Sequence, residues 1–357
     1  MSVQSSQYHA GHESVHFFSD PAAGLRAIIA IHSTALGPAA GGCRRWVYAS
    51  EQAALDDVLR LSRGMSFKNA MAGLPLGGGK AVILAEPGQP KTEALMEAFG
   101  RAVNSLGGRY VTAEDVGITI EDMTMASRMT SYISGLKKSG DRAGGDPSPK
   151  TAHGVYQGML AAVKAGLGRT EVEGLAVAVQ GLGGVGYHLC KNLHDAGAKL
   201  IVADVNAERV AKVVGEMGAT AVSTEAILFA EADILAPCAL GAIVNEQSIP
   251  KIRAKVIAGG ANNQLAANED GARLLARGIL FAPDYVINAG GIINVAAEYL
   301  GTKNEAEVDR DIAQIHDRVL DIFARAKFAG QPANFVADTL AEAKIAQASL
   351  GERRKIA

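Results

Sequence analysis

The chain has 357 residues, 48% hydrophobic and 20% charged, with a net charge of −2 and 41 glycines. That length predicts about two domains rather than one core, and a balanced charge without long runs of one sign argues against nucleic-acid or membrane-surface partners. No uncharged apolar run is long enough to span a bilayer, and the first residues lack the basic-then-apolar pattern of a secretory signal, so a cytoplasmic enzyme is expected.

The elements follow in chain order. His9, His12 and His16 sit in the amino-terminal segment without a nearby Cys or paired acid and read as solvated terminal residues. Gly24–Leu36 is rich in Ile and reads as a strand. Glu51–Met65 has apolar residues at helical spacing, and Lys80–Glu86 is a short buried strand by its β-branched content. Lys91–Gly107 reads as an amphipathic helix closed by Gly107, and Arg109–Gly117 as a strand running into a loop. Ser139–Gly154 is dense in Gly, Pro, Ser and Asp, which marks a loop and a domain boundary.

Leu175–Gln180 is an apolar strand, followed by "GLGGVG", a helix over Tyr187–Ala198 and a second strand, Lys199–Asn206. This is a βαβ unit of about 30 residues. The apolar runs Ala232–Leu240, Ala254–Asn263 and Ile279–Gly291 each read as a parallel-sheet strand opening into a polar or glycine-rich loop, and the tail from Asn304 is helical in pattern. Cys43, Cys190 and Cys238 are too scattered for a disulfide framework or a zinc site. His188 and His194 are six apart on one helix and do not share a face well. No metal site is expected.

The glycines have separable jobs. Gly181 permits the tight turn, Gly183 lets a pyrophosphate approach the backbone, and Gly186 lets helix pack on strand. The helix N-terminus favours the phosphate charge. Asp204, at the end of the second strand, can accept hydrogen bonds from both ribose hydroxyls. A carboxylate there repels a 2′-phosphate, and neither Val205 nor Asn206 is a compensating cation, so NAD is expected over NADP.

Met65–Ile83, "MSFKNAMAGLPLGGGKAVI", sets Lys68 and Lys80 among small apolar residues and the triple glycine Gly77–Gly79. It is not a phosphate-binding P-loop: Leu74 stands where the motif needs Gly, and Ala81 where it needs Ser or Thr. Burial and a neighbouring cation both favour a neutral amine, so one lysine would anchor an anion while the other handles protons. Alternatively, both snorkel to the surface. The partner acid would be Glu114 or Asp115, at the end of a strand where α/β active sites gather. Alternation sends the two to opposite sides, and residue chemistry alone leaves the choice open.

The segments "STALGPAAGGCR", "GMSFKNAMAGLPLGGGKAVI", "YVTAEDVG", "SPKTAHGV", "GLGGVG", "AGGANNQL" and "APDYVINAGGIIN" occur in this order. Together they strongly resemble the amino acid dehydrogenase family of leucine, phenylalanine, valine and glutamate dehydrogenases, closest in pattern to the leucine enzymes. The resemblance runs from about Val15 to beyond Glu298. It implies an α/β fold of two domains separated by a cleft, the second a Rossmann-type doubly wound parallel sheet. Residues 1–145 would bind substrate and support oligomerisation, 146–329 would bind NAD, and 330–357 would pack back on the first domain.

The resemblance also assigns roles. Lys68 would bind the substrate α-carboxylate, Lys80 would be the catalytic lysine, and Asp115 its acid–base partner. Gly41 would border the substrate. Thr151 and Asn262 would contact the nicotinamide end, with Asn288 beside them. The dinucleotide would also meet Gly181, Gly183, Gly184, Val185, Gly186, Asp204, Val205, Cys238 and Ala239. The implied reaction is reversible oxidative deamination of an L-amino acid to the 2-oxo acid and ammonium in a homo-oligomeric enzyme.

Ala40 stands where glutamate-specific relatives carry a lysine, and the other pocket candidates, Ile292 and Val295, are aliphatic, so glutamate is not the expected substrate. "GGIIN" looks more like the leucine and valine enzymes, while the small Ala40 leaves room for an aromatic ring. Branched-chain amino acids are expected, with phenylalanine as the alternative. A catalytically silent dinucleotide-binding sensor is the alternative of another class. A hydroxy-acid dehydrogenase is disfavoured because His153 has no evident acid partner.

Overall fold

The computed structural model describes residues 3–136, 143–239, 241–301 and 303–356. The chain forms two compact units. Unit 1 comprises Met1–Gly145, Val295–Asn304 and Ala341–Ala357, and unit 2 comprises Asp146–Asn294 and Glu305–Leu340. By contacts, then, the segment 295–304 joins unit 1 early, and the final return falls at 341 rather than 330.

Unit 1 contains strands β1 (Ser14–Asp20), β2 (Leu25–Ser33), β3 (Ala39–Ala40) and β4 (Cys43–Trp46), then helix α1 (Glu51–Ala72) and strand β5 (Gly77–Leu84). Helix α2 (Glu93–Asn104), strand β6 (Tyr110–Val111) and helix α3 (Ile120–Ala126) follow. The sheet order is β1-β2-β5-β3-β6, with β4 also paired to β5. β1, β2 and β5 run antiparallel in turn, while β3 and β4 run parallel to β5. Every residue of β5 is buried, as expected of a central strand covered on both faces.

Helix ends follow local chemistry. Ser50 caps α1 by accepting from Ala53 N, and Gly73 closes it in the left-handed conformation. Thr119 and Asp122 form a capping box on α3. α1 extends seven residues beyond the expected Met65, so Lys68 rides on a helix.

The amino-terminal histidines differ from expectation. His12 is buried, with Nε2 at 3.0 Å from both Leu59 O and Ser62 Oγ, and His9 and His16 are half-buried. His32 on β2 is also buried, with Nδ1 at 2.8 Å from Ser66 Oγ and Nε2 at 3.2 Å from Ala10 O. The reason is tertiary: the segment before β1 folds back on α1, and the rings of His12 and His32 meet edge to face at 4.9 Å.

Unit 2 starts with α4 (Ser148–Leu167) and continues through β7 (Ala176–Gln180), α5 (Gly184–Asp195), β8 (Lys199–Ala203), α6 (Ala207–Met217) and β9 (Thr220–Ala221). Then come β10 (Ile234–Pro237), β11 (Val256–Ile257), α7 (Asp270–Ala276), β12 (Leu280–Phe281) and α8 (Asp284–Ile287). The chain ends with α9 (Gly290–Leu300), α10 (Glu305–Ala313), α11 (Ile315–Ala329) and α12 (Ala333–Ile356). The sheet order β12-β11-β10-β7-β8-β9 is parallel throughout. This is the doubly wound arrangement, whose order reverses between β7 and β10.

Two loop expectations are corrected. Of the loop expected over Ser139–Gly154, residues 139–142 lie outside the described residues, and Ser148–Gly154 is the start of α4. Pro149 marks a helix start rather than a loop, because a first-turn residue has no hydrogen-bonded N–H to lose. Likewise, the stretch after Phe281 forms α8 and the start of α9 rather than an open loop. The last residues of α12 return to unit 1, where Lys344 donates to Ala70 O at 3.2 Å and Arg63 pairs with Glu342 at 3.1 Å. Among the described residues no helix is long and apolar enough to cross a membrane.

Candidate active site

In unit 1 the parallel pairing of β4 with β5 sets Cys43 opposite Ala81, and Cys43 also bridges Glu114. Segment 113–115 therefore runs beside β4, and Lys80 of β5 reaches Asp115. Lys80 is 6% exposed and its Nζ donates to Asp115 Oδ2. A buried ammonium needs such a partner; it comes from 35 residues away in the chain. Of the two candidate acids, Asp115 is the one paired to Lys80. Gly42 makes the approach possible, since a Cβ there would lie 2.5 Å from Glu114 O and 3.0 Å from Asp115 Cβ.

Burial by itself would push the Asp115 carboxyl up. The charge and hydrogen bond of Lys80, the guanidinium of Arg44 and the N–H of Val116 together hold it below the usual carboxylate range. Arg44 Nε lies 3.7 Å from Asp115 Oδ2, and the same guanidinium pairs with Asp57 at 3.0 Å. Burial pushes the Cys43 thiol and the Tyr110 hydroxyl well up, so both stay neutral beside the pair.

Lys68 is half-buried on the last turns of α1. The next residue, Asn69, donates to Gly77 O at 2.5 Å and fixes this end of the helix on β5. The triple glycine serves that packing. A methyl on Gly78 would overlap Ser66 N, and one on Gly79 would press into the Tyr110 ring. The groups that come close at these glycines are the chain's own. Tyr110, fully buried, donates to Gly41 O at 2.5 Å and holds the Gly41–Gly42 link between β3 and β4. Ala40 is buried in a small apolar cluster with Leu76, Val111 and Ala296, against which Leu74 and Tyr299 pack. Ile292 and Val295 are half-buried, three apart and so on one side of α9.

In unit 2 the glycine turn lies at the switch point between β7 and β10. Gly181 has φ 92°, and a Cβ on it would meet Ala239 Cβ at 2.6 Å. A methyl on Gly186 would overlap Gly181 O, and Cys238 Cβ lies 3.4 Å from that position. Gly184 opens α5 against Ser148, and Val185 follows in its first turn, where its side chain faces Gly260. Gly183 differs: no atom lies within 4 Å of the position its Cβ would take. A cavity of about 250 Å³ opens there, lined by Leu182, Gly183, Gly184, Tyr187, Arg209 and Lys212.

Asp204 accepts from Leu182 N at 2.6 Å and Asn206 N at 2.8 Å, so its carboxylate braces the glycine turn. Val205 beside it is 92% exposed. No cation was expected near Asp204, yet Arg209, on the first turn of α6, lies 3.9 Å from it. Its signal was present in the helical spacing after Asn206, the α6 cap.

The "AGGANN" loop is braced by Gln264, which donates to Gly259 O at 2.6 Å and Ala261 O at 3.0 Å. Asn288, nearly fully buried, donates to Asn262 Oδ1 at 2.8 Å and to Gly260 O at 3.3 Å. With Oδ1 engaged, the NH₂ of exposed Asn262 is the end offered outward. Thr151 donates to Pro147 O at 2.9 Å, leaving its oxygen lone pairs as acceptors. Among the described residues no group of His, Cys, Asp and Glu is placed to hold a metal ion.

The sequence reading had no role for Arg44, Tyr110, Gln264 or Arg209. The first three lie inside quoted motifs, and only the fold shows what they touch.

Comparison with known proteins identifies the family. Residues 12–132 match the family model "Glu/Leu/Phe/Val dehydrogenase, dimerisation domain", and residues 202–351 match "Glutamate/Leucine/Phenylalanine/Valine dehydrogenase". The chain is 53% identical to a leucine dehydrogenase of Geobacillus stearothermophilus, covering 94% of this chain and 90% of that protein. It is 49% identical to a valine dehydrogenase of Streptomyces virginiae, covering 95% of each. The crystal structure of L-tryptophan dehydrogenase from Nostoc punctiforme superposes with a TM-score of 0.82 at 44% identity, covering 95% of this chain and 97% of that one. On these matches the chain, with a βα glycine turn in one unit and a buried lysine–aspartate pair in the other, belongs to the Glu/Leu/Phe/Val dehydrogenase family and is an amino acid dehydrogenase.

Proposed function

We propose that the protein catalyses the reversible, NAD-linked oxidative deamination of a branched-chain L-amino acid. Amino acid, NAD and water give the 2-oxo acid, ammonium and NADH. The observation that carries this reading is the buried Lys80–Asp115 pair beside Gly41 and Gly42, in a chain about half identical to leucine dehydrogenases.

The residues of unit 2 fit a dinucleotide. The open space over Gly183 accommodates a pyrophosphate at the α5 N-terminus, and Asp204 and Val205 would border the adenosine ribose. The carboxylate of Asp204 supports NAD over NADP, against the opposing charge of Arg209. Cys238, Ala239, Thr151 and Asn262 would border the rest of the cofactor. When bound, the nicotinamide supplies the acceptor for the hydride that leaves the substrate Cα.

The protein's own groups do the remainder. Lys68 binds the α-carboxylate and sets the orientation of the Cα–H, a kind of positioning worth up to roughly 7–11 kcal/mol. Lys80, as the free amine, takes a proton from the water that adds to the substrate imine carbon. Asp115 passes protons to and from the amine as the carbinolamine collapses. Asn262 and Asn288 orient the substrate amine. Ala40, Gly41, Ile292 and Val295 border the side chain. None of them is charged, so a glutamate carboxylate would be buried without a partner.

The family model's dimerisation domain over residues 12–132 supports a homo-oligomer, and we place the protein in the cytoplasm. NADH oxidation with a panel of 2-oxo acids, with and without ammonium, tests the proposal. Ammonium-dependent turnover led by 4-methyl-2-oxopentanoate and 3-methyl-2-oxobutanoate is the expected result. Phenylpyruvate in the lead would move the assignment to an aromatic substrate, for which Ala40 leaves room. Ammonium-independent turnover or silence would refute the deamination chemistry.

A further inference from the structure

Arg44 is used by none of the steps above, yet it is the second cation on Asp115. Its Nε is buried, makes no hydrogen bond and lies 3.7 Å from Asp115 Oδ2, beyond hydrogen-bond reach and well within ion-pair range. The guanidinium is locked at its other end by Asp57 at 3.0 Å. Asp57 is held in turn by the Tyr48 hydroxyl, which donates at 2.8 Å, and by Arg60 at 3.0 Å. Asp57 and Arg60 lie on α1, the helix that also carries Lys68. Asp57 and Lys68 are eleven residues apart, close to three full turns, so they share one face.

We propose that Arg44 is a positioning residue whose fixed positive charge sets the pH range over which the Lys80–Asp115 pair is in its working state. The proposal rests on the reading of that pair as the proton-handling groups. The working state, free amine beside carboxylate, carries one negative charge; the resting ion pair carries none. An arginine stays charged throughout, so it stabilises the working state relative to the resting one. Asp57 offsets this charge only in part, because its carboxylate is shared with Arg60. Cys43 and Tyr110, two titratable groups beside the pair, are neutral and add no competing charge. Because the two groups of the pair are strongly coupled, the pH profile reports the pair rather than either residue.

The test is the pH dependence of kcat/KM for leucine oxidation in Arg44→Gln, Arg44→Lys, Asp57→Asn and Lys80→Ala. Removing the charge in Arg44→Gln should move the acid limb to higher pH. Activity at its foot should fall about tenfold, while the alkaline plateau stays within about threefold of wild type. Arg44→Lys should restore the limb toward its original place. Asp57→Asn removes a negative charge behind Arg44 while keeping its shape, and should move the limb the opposite way, to lower pH. This variant keeps the test decisive even where Arg44→Gln does not fold. A uniform loss at all pH values in Arg44→Gln, or an unmoved limb in Asp57→Asn, would overturn the proposal and leave Arg44 with packing alone. Turnover retained in Lys80→Ala would instead sink the reading of the pair itself, whatever Arg44 does.

Discussion

Acidification from pH 7 to 4.5 should weaken unit 1 through His32. Burial, helped by the nearby His12 and Arg63, pushes this imidazole from its ordinary 6.5 down to about 4. Between those two values the unfolded chain binds a proton that the folded chain does not, so stability falls as pH drops through that window. Above 6.5 the contribution is fully present, and below about 4 it is gone. A gap of about 2.5 units at 1.36 kcal/mol per unit sets a ceiling of about 3 kcal/mol, of which about 2 is lost by pH 4.5. The comparison variant is His32→Gln, whose amide can still bond Ser66 or Ala10 but does not titrate. Urea unfolding midpoints would be measured at half-unit pH steps for both proteins. Wild type should lose about 2 kcal/mol more than the variant between pH 7 and 4.5. Parallel curves over that range would refute the reasoning.

Lys80→Ala should lower kcat by orders of magnitude while NADH still binds, as followed by nucleotide fluorescence; near-normal turnover would count against its role. Lys68→Ser should raise the KM for the amino acid and make an amine without a carboxylate relatively more acceptable. An unchanged KM would remove Lys68 from the carboxylate site. The second and third glycines of the turn should separate. Gly183→Ala has free space in the protein and should fold with unchanged unfolding midpoint but bind dinucleotide at least about tenfold more weakly. Gly186→Ala overlaps Gly181 O and should lose both stability and binding in a thermal melt. Gly78→Ala sets a methyl against Ser66 N and should destabilise the α1–β5 packing by at least roughly 1–3 kcal/mol, the range of core overpacking changes, read by urea unfolding.

The dinucleotide unit was legible because its signals are contiguous. A strand, three glycines, a helix and Asp204 follow one another within about 30 residues, and each constrains the backbone locally. The same holds for the helix over Glu51–Met65 and for the buried strand carrying Lys80, where periodicity and β-branched content report directly on local conformation. Family motifs in a fixed order then named the chemistry. Composition argued against other classes because net charge and apolar run length are properties of the chain as a whole.

What only the tertiary structure decided are the pairings between distant segments. Glu114 and Asp115 are equivalent as neighbours in sequence; the register of β4 between β5 and residues 113–115 brings Asp115 to Lys80. The need for the triple glycine shows only in the fold, where Ser66 and Tyr110 fill the space beside it. His12 looked like a solvated terminal residue until the first residues folded onto α1. Arg44 and Arg209 could not be given partners, because their acids lie across a strand register or a helical turn. Local backbone preference is set within a few residues of sequence. Burial and ion pairing are set by which strands lie side by side, and that depends on packing between segments far apart in the chain.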